Sequence, residues 1–202
     1  MYHIYRLISV IFHPLLLPIA ATISFFILND AYIDRASQLK IILIIATGTY
    51  FLPILLLLIL KKRKLIENLE VRKIKERKIP LIFMTILFYI LAKTTAKIPS
   101  LTILSQLFLG CSISLSICYL LIIANLKISL HMIGISTYIA FITMYSIYTQ
   151  TNLLVLLACL FLIAGITAKA RLALKEHSLK EVLLGFSIGY SMQLFVVSIG
   201  II

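Results

Sequence analysis

The residues able to do chemistry fall in three short stretches. They are Arg72-Lys73-Ile74-Lys75-Glu76-Arg77-Lys78-Ile79-Pro80, Lys127-Ile128-Ser129-Leu130-His131, and the run from Arg171 through His177 to Glu181. Together they supply fixed cations, a hydroxyl, two imidazoles and a carboxylate. That set suits phosphoryl transfer. Positive groups aimed at phosphate oxygens offset the charge carried there, and a planar guanidinium fork matches two oxygens at once. One imidazole can attack phosphorus while another gives a proton, since both titrate near neutrality. Glu181 stands four residues after His177 and shares its helical face or turn. A carboxylate bonded to one imidazole nitrogen leaves the other free to attack. The scheme requires no metal and no cofactor, and none is expected.

For these stretches to act together, the elements between them must return the chain to one place. The composition says what those elements are. Of 202 residues, 62% are hydrophobic and 13% charged, and the mean hydropathy is +1.12. Soluble chains average about 45–50% apolar and about 25% charged, so a soluble globular protein is excluded, and so is disorder. Cys111, Cys118 and Cys159 lie inside apolar runs. Their odd number argues against a disulfide framework, and they read as inert buried thiols. The net charge of +12 sits in one loop and a few helix ends. It therefore reads as membrane topology, with anionic lipid or phosphate as its functional counterpart. The expected partner is the lipid bilayer, and no nucleic acid is expected.

A membrane helix needs about 20 mostly apolar residues. Seven runs approach this: Tyr5–Leu28, Leu39–Leu60, Pro80–Ala96, Leu101–Asn125, Met132–Tyr148, Asn152–Ala168 and Glu181–Ile202. The first is longer than the apolar core of a signal peptide, about 7–15 residues, and is read as retained. His13-Pro14 and Pro18 can kink it or make it re-entrant, which would leave six full spans and a partial insertion. Connections are mostly tight, so residues 1–202 form one integral membrane domain, an all-α polytopic bundle of six to seven helices. The exception is residues 61–79, a basic loop suited to a short amphipathic interfacial helix. Gly185 and Gly189 form a GxxxG pair, which calls for close helix packing.

Two helices separate the first polar stretch from the second, and two separate the second from the third. An even number of crossings returns the chain to the same face, so all three can meet there. With seven crossings, the nineteen Lys and Arg divide fifteen to four in favour of that face. The excess places it in the cytoplasm, with the protein in a bacterial inner membrane.

Arg171-x5-His177-x3-Glu181 resembles the third signature of the PAP2 (type 2 phosphatidic acid phosphatase) superfamily: Ser-Arg, five residues, His, three residues, Asp. Ile128-Ser129-Leu130-His131 resembles the second, Pro-Ser-Gly-His. The segment ending at Pro80 resembles the first, Lys, six residues, Arg-Pro. The resemblance covers residues 72–181 and is to a divergent, small, bacterial-type membrane member. It implies a metal-independent phosphatase acting on lipid phosphates or polyprenyl diphosphates. It also implies that His177 is the nucleophile, that His131 protonates the leaving oxygen and that Glu181 orients His177. Arg171, Ser129, Lys127 and Arg77, with Arg72 or Lys73 beside it, would hold the phosphate. Several positions depart from the pattern. Ala170 stands for Ser, Glu181 for Asp, Ile128 for Pro, Leu130 for Gly, and Ile79 precedes Pro80 where the family has Arg.

Plainer readings compete for some of these residues. Ser178-x-x-Glu181 is also a capping box. Lys61–Lys64 read as a topology anchor, and Lys127, Lys169, Lys175 and Lys180 as snorkelling anchors. His13-Pro14 reads as a helix irregularity. Two other functions stay open. Leu130 and the broken first signature suit a degenerate member that binds phospholipid without turnover. A small transporter or assembly subunit is the other, although ionisable residues at mid-membrane depth are scarce.

Overall fold

A computed structural model describes residues 2–29 and 33–200, and among these the secondary structure is entirely helical. The segments are α1 (Tyr2–Ile11), α2 (Leu17–Leu28), α3 (Arg35–Ala46), α4 (Leu52–Lys62), α5 (Lys78–Thr95), α6 (Thr102–Ile123), α7 (Leu130–Thr149), α8 (Leu154–Ala173) and α9 (Leu179–Ser198). Among the described residues, six helices are long and apolar enough to cross a membrane: Arg35–Lys62, Ile74–Thr95, Pro99–Ile123, Leu130–Thr149, Leu154–Ala173 and Leu179–Ser198. Large apolar side chains such as Ile27, Tyr148, Leu154 and Val155 face outward, as lipid contact requires. Ile201 and Ile202, the end of the last expected span, lie outside the described residues.

Two expectations are refined. The first apolar run is divided: α1 ends before His13-Pro14, and α2 begins with Pro18 in its first turn, where the missing N–H costs nothing. Arg35–Lys62 is one rod whose centre, Thr47–Phe51, is a π turn just before Pro53. Such a turn absorbs the hydrogen bond that a proline cannot make. The basic loop holds no amphipathic helix. It carries only a single 3-10 turn, Ile74–Arg77, leading into α5. Its polar groups instead pair with one another, as in Arg72 with Glu70 and Lys73 with Glu67.

Helix α7 is the most buried of the six, and α9 packs along it. A side chain at Gly185 would put its Cβ 2.6 Å from the carbonyl of Ser129, and one at Gly189 would meet Ser136 and the Ile133 carbonyl. The GxxxG pair is therefore the contact line between α9 and α7. Helix α2 follows α7 from Leu17 beside Gly134, past the Ser24–Tyr138 hydroxyl pair, to Phe25 against Tyr145. It thus runs from the start of α7 toward its far end. Helix α1 stays at the starting end, with Ser9 bonded to His131 and Arg171. The three polar stretches also meet at that end, as the count of crossings requires.

Candidate active site

His177 lies in the short turn between α8 and α9. Helix α8 stops on Lys175, which adopts a left-handed φ of 54°. The N–H of Glu176 then closes on the carbonyl of Arg171 at 3.2 Å, a cap that usually employs glycine. The turn is pinned from two sides at Glu176. Arg72 pairs with its carboxylate at 2.8 Å, and the Lys127 ammonium donates to its carbonyl at 2.6 Å. Beyond the turn, Ser178 accepts from the backbone N–H of Glu181 and starts α9. Only this half of the capping box forms among the described residues. The Glu181 carboxylate turns to His177 instead, with Oε2 at 2.6 Å from Nδ1.

The His177 side chain is 2% exposed, and its Nε2 makes no hydrogen bond among the described residues. Burial is the main cause that pushes its pKa down, to about 4. Arg77, Arg171 and Lys127 push the same way, against the Glu181 hydrogen bond. At neutral pH His177 is therefore a neutral imidazole with a free lone pair, the form a nucleophile needs. An unfolded histidine titrates near 6.5. Between that value and about 4, the unfolded chain takes up a proton that the folded chain refuses. The stability contributed by His177 is thus present above about pH 6.5 and is lost as pH falls toward about 4. The thermal midpoint in detergent is expected to drop across that window, and to drop less in His177→Asn. Equal drops in both proteins would assign the acid sensitivity elsewhere.

Arg77 is 6% exposed. Its Nε donates to the Val71 carbonyl at 2.9 Å and its Nη1 to the Ile128 carbonyl at 3.1 Å. Val71 has φ of 45°, strained for a β-branched residue. Arg77 thereby ties the first polar stretch to the second. Ser129 precedes α7, is fully buried, and receives the next tie: its N–H meets the carbonyl of Glu181 at 3.3 Å. Among the described residues its hydroxyl has no partner, and neither has the buried Nε of Arg171. Leu130 opens α7 with an ordinary helical backbone, so the position where the PAP2 pattern has glycine requires no positive φ here.

Arg77, His131, Arg171 and His177 line one cavity of about 170 Å³. The same cavity continues between apolar residues of α2, α5, α6 and α7, among them Leu17, Met84, Phe88, Leu107 and Tyr138. It is polar at the end of the bundle and apolar within it. Glu181 reaches it through His177. Four candidates are placed otherwise, among them Ser129, which is fully buried and does not line the cavity. Arg72 and Lys127 hold Glu176, and Lys73 pairs with Glu67 on the surface at 60% side-chain exposure. Among the described residues, no three His, Cys, Asp or Glu side chains are grouped to hold a metal.

Two residues at the site carry no sequence signature. Ser9 of α1 accepts from Arg171 Nη1 at 2.6 Å, and its carbonyl accepts from His131 Nε2 at 3.0 Å. The His13 ring stands edge-on to that of His131, centroids 5.3 Å apart, and lines the cavity. Burial, then Arg171, pushes the His13 pKa down. The spacing of Arg6, Ser9 and His13, three and then four residues, is the only trace of this in the sequence. It marks one polar face on an apolar segment. No family model, curated protein or solved structure matches the chain.

Proposed function

We propose that this protein is a membrane-embedded phosphatase of the PAP2 type that removes a terminal phosphate from a lipid phosphate or polyprenyl diphosphate. The observation that carries the reading is His177, with Nδ1 held by Glu181 and Nε2 unengaged, on a cavity shared with Arg77, Arg171 and His131. In this reading the phosphate sits between the two guanidinium groups. Nε2 of His177 forms the bond to phosphorus as the bond to the leaving oxygen breaks. His131, protonated when the negative charge of the phosphate lies beside it, gives that oxygen its proton. Glu181 stabilises the charge that appears on His177. Water then attacks phosphorus, His131 takes the proton released, and inorganic phosphate departs from a restored His177.

The apolar depth of the cavity supports an amphiphilic substrate, with its phosphate at the bundle end and its tail among Phe88, Leu107 and Tyr138. The test is phosphate release by the detergent-purified protein from a panel of lipid phosphates, with EDTA present. Activity that persists in EDTA supports the reading. A folded protein that binds these lipids without releasing phosphate would favour a degenerate binding protein, and flux across proteoliposomes without release would favour a transporter.

The basic excess assigns the site to the cytoplasmic face. A cysteine introduced at Lys62, at the end of α4, is then expected to resist an impermeant thiol reagent in intact cells. Labelling of that cysteine would reverse the sidedness.

A further inference from the structure

We propose that Ser9 is a ligand to the phosphate, delivered to the site by α1. The inference rests on the phosphatase reading and adds a fourth polar element to it. A count of protons around the Ser9 hydroxyl carries the argument. Arg171 Nη1 donates to it at 2.6 Å. His131 Nε2 lies 3.0 Å from the Ser9 carbonyl. A carbonyl only accepts, so Nε2 bears the proton. The same Nε2 lies 3.3 Å from the Ser9 hydroxyl, to which it also presents an N–H. The hydroxyl therefore meets donors on both sides, and its own proton has no acceptor among the described residues.

Two further donors at this end of the bundle are in the same condition. The Nε–H of Arg171 and the hydroxyl of Ser129 are buried without partners among the described residues. Buried donors left unpaired cost free energy. A single group rich in acceptors and poor in protons would satisfy the Ser9 hydroxyl and the Nε–H of the guanidinium bonded to it, and a tetrahedral phosphate is such a group. It would take the Ser9 proton and the Arg171 Nε–H together, beside Nε2 of His177. Helix α1 is fixed for this task. It packs on α8, and Arg6 reaches Glu70 of the basic loop at 4.0 Å. Ser9 follows Arg6 by three residues and so shares its face.

The probe is inorganic phosphate, titrated into the detergent-purified full chain by calorimetry, with thermal midpoints recorded in parallel. A hydrogen bond to a charged group is worth about 1.5–3 kcal/mol. Ser9→Ala is therefore expected to weaken phosphate binding about tenfold to a hundredfold, while Ser9→Thr, which keeps the hydroxyl, stays within about threefold of the parent. If the thermal midpoint shows Ser9→Ala to be unfolded, Ser9→Cys replaces it. The thiol fills the same space and donates weakly, so the same weakening is expected. Unchanged binding in the alanine or cysteine variant would overturn the Ser9 assignment. So would tighter binding, which would show the hydroxyl competing with phosphate for Arg171. Arg171→Ala separates the two readings. If the parent binds phosphate and Arg171→Ala does not, the phosphate site stands whatever Ser9 does. A parent that binds no phosphate overturns the site and Ser9 together.

Discussion

Replacement of His177 by alanine is expected to reduce phosphate release by at least ~10⁴-fold, because the other two imidazoles on the cavity are engaged elsewhere, His13 Nδ1 by the Leu15 N–H and His131 Nε2 by Ser9, and among the described residues neither is oriented by a carboxylate. The neighbouring groups explain why the loss is so large. Arg77, Arg171 and His131 remain in place, but they act on a phosphate that must first be attacked. The variant keeps the proposed phosphate ligands, so lipid phosphate binding is expected to change far less than turnover. Phosphate release and lipid binding measured on one preparation check both halves. Turnover within tenfold of the parent would remove His177 from the mechanism.

Gly189→Leu is expected to be the most damaging change outside the cavity. A Cβ there would meet the Ile133 carbonyl and Ser136, and would lie 2.9 Å from the Thr137 hydroxyl. Two of these three residues are small polar side chains buried in α7, and the carbonyl cannot retreat without moving that helix. Helix α9 must therefore shift away from α7. The same shift would separate Glu181 from Ser129, whose backbones meet at 3.3 Å. Overpacking costs about 1–3 kcal/mol and more in the severest cases, and about 3 kcal/mol is a fall of about 6–12 °C in the thermal midpoint for a chain of this size. Gly165 supplies the control, since a Cβ there meets nothing within 4 Å. Gly165→Leu is expected to leave the midpoint within about 2 °C of the parent, on the scale of a change that touches nothing. Similar losses in both variants would show that α9 does not depend on this close approach.

The spans were legible because a run of apolar residues leaves few alternatives to a membrane helix. Most expected boundaries fall within a few residues of the observed ones, and the polar stretches gather at one end as the crossings require. The GxxxG pair was legible for a related reason: small residues four apart form a groove that a neighbouring backbone can enter. Helix ends were harder. Helices α4, α6, α7 and α8 close on Lys64, Asn125, Gln150 and Lys175 in left-handed conformations, without the glycine that usually marks such a stop. The start of the second span also lay earlier than the sequence suggested. Asp34 caps α3 by accepting from the Ser37 N–H, which brings Arg35 into the helix.

Within the site, the pairing of His177 with Glu181 followed from their spacing, because four residues is one helical turn. Arg72 and Lys127 were counted by charge alone. Charge does not distinguish a cation facing the cavity from one that fixes the turn carrying His177, and only the fold supplies Glu176 as their partner. Ser9 and His13 were hidden for a different reason. Their partners are distant in sequence, as in the 162 residues between Ser9 and Arg171, and a serine in an apolar helix carries no signature of its own.

The central claim is that phosphate passes through a covalent bond to His177. The most direct measurement is a rapid acid-free quench of the purified protein turning over a lipid phosphate labelled in its terminal phosphoryl group, followed by peptide mapping. The expected result is a phosphoryl label that survives base, is lost in acid, maps to His177 and is absent from His177→Ala. Sustained turnover with no label on His177, or with label on another residue, would contradict the account.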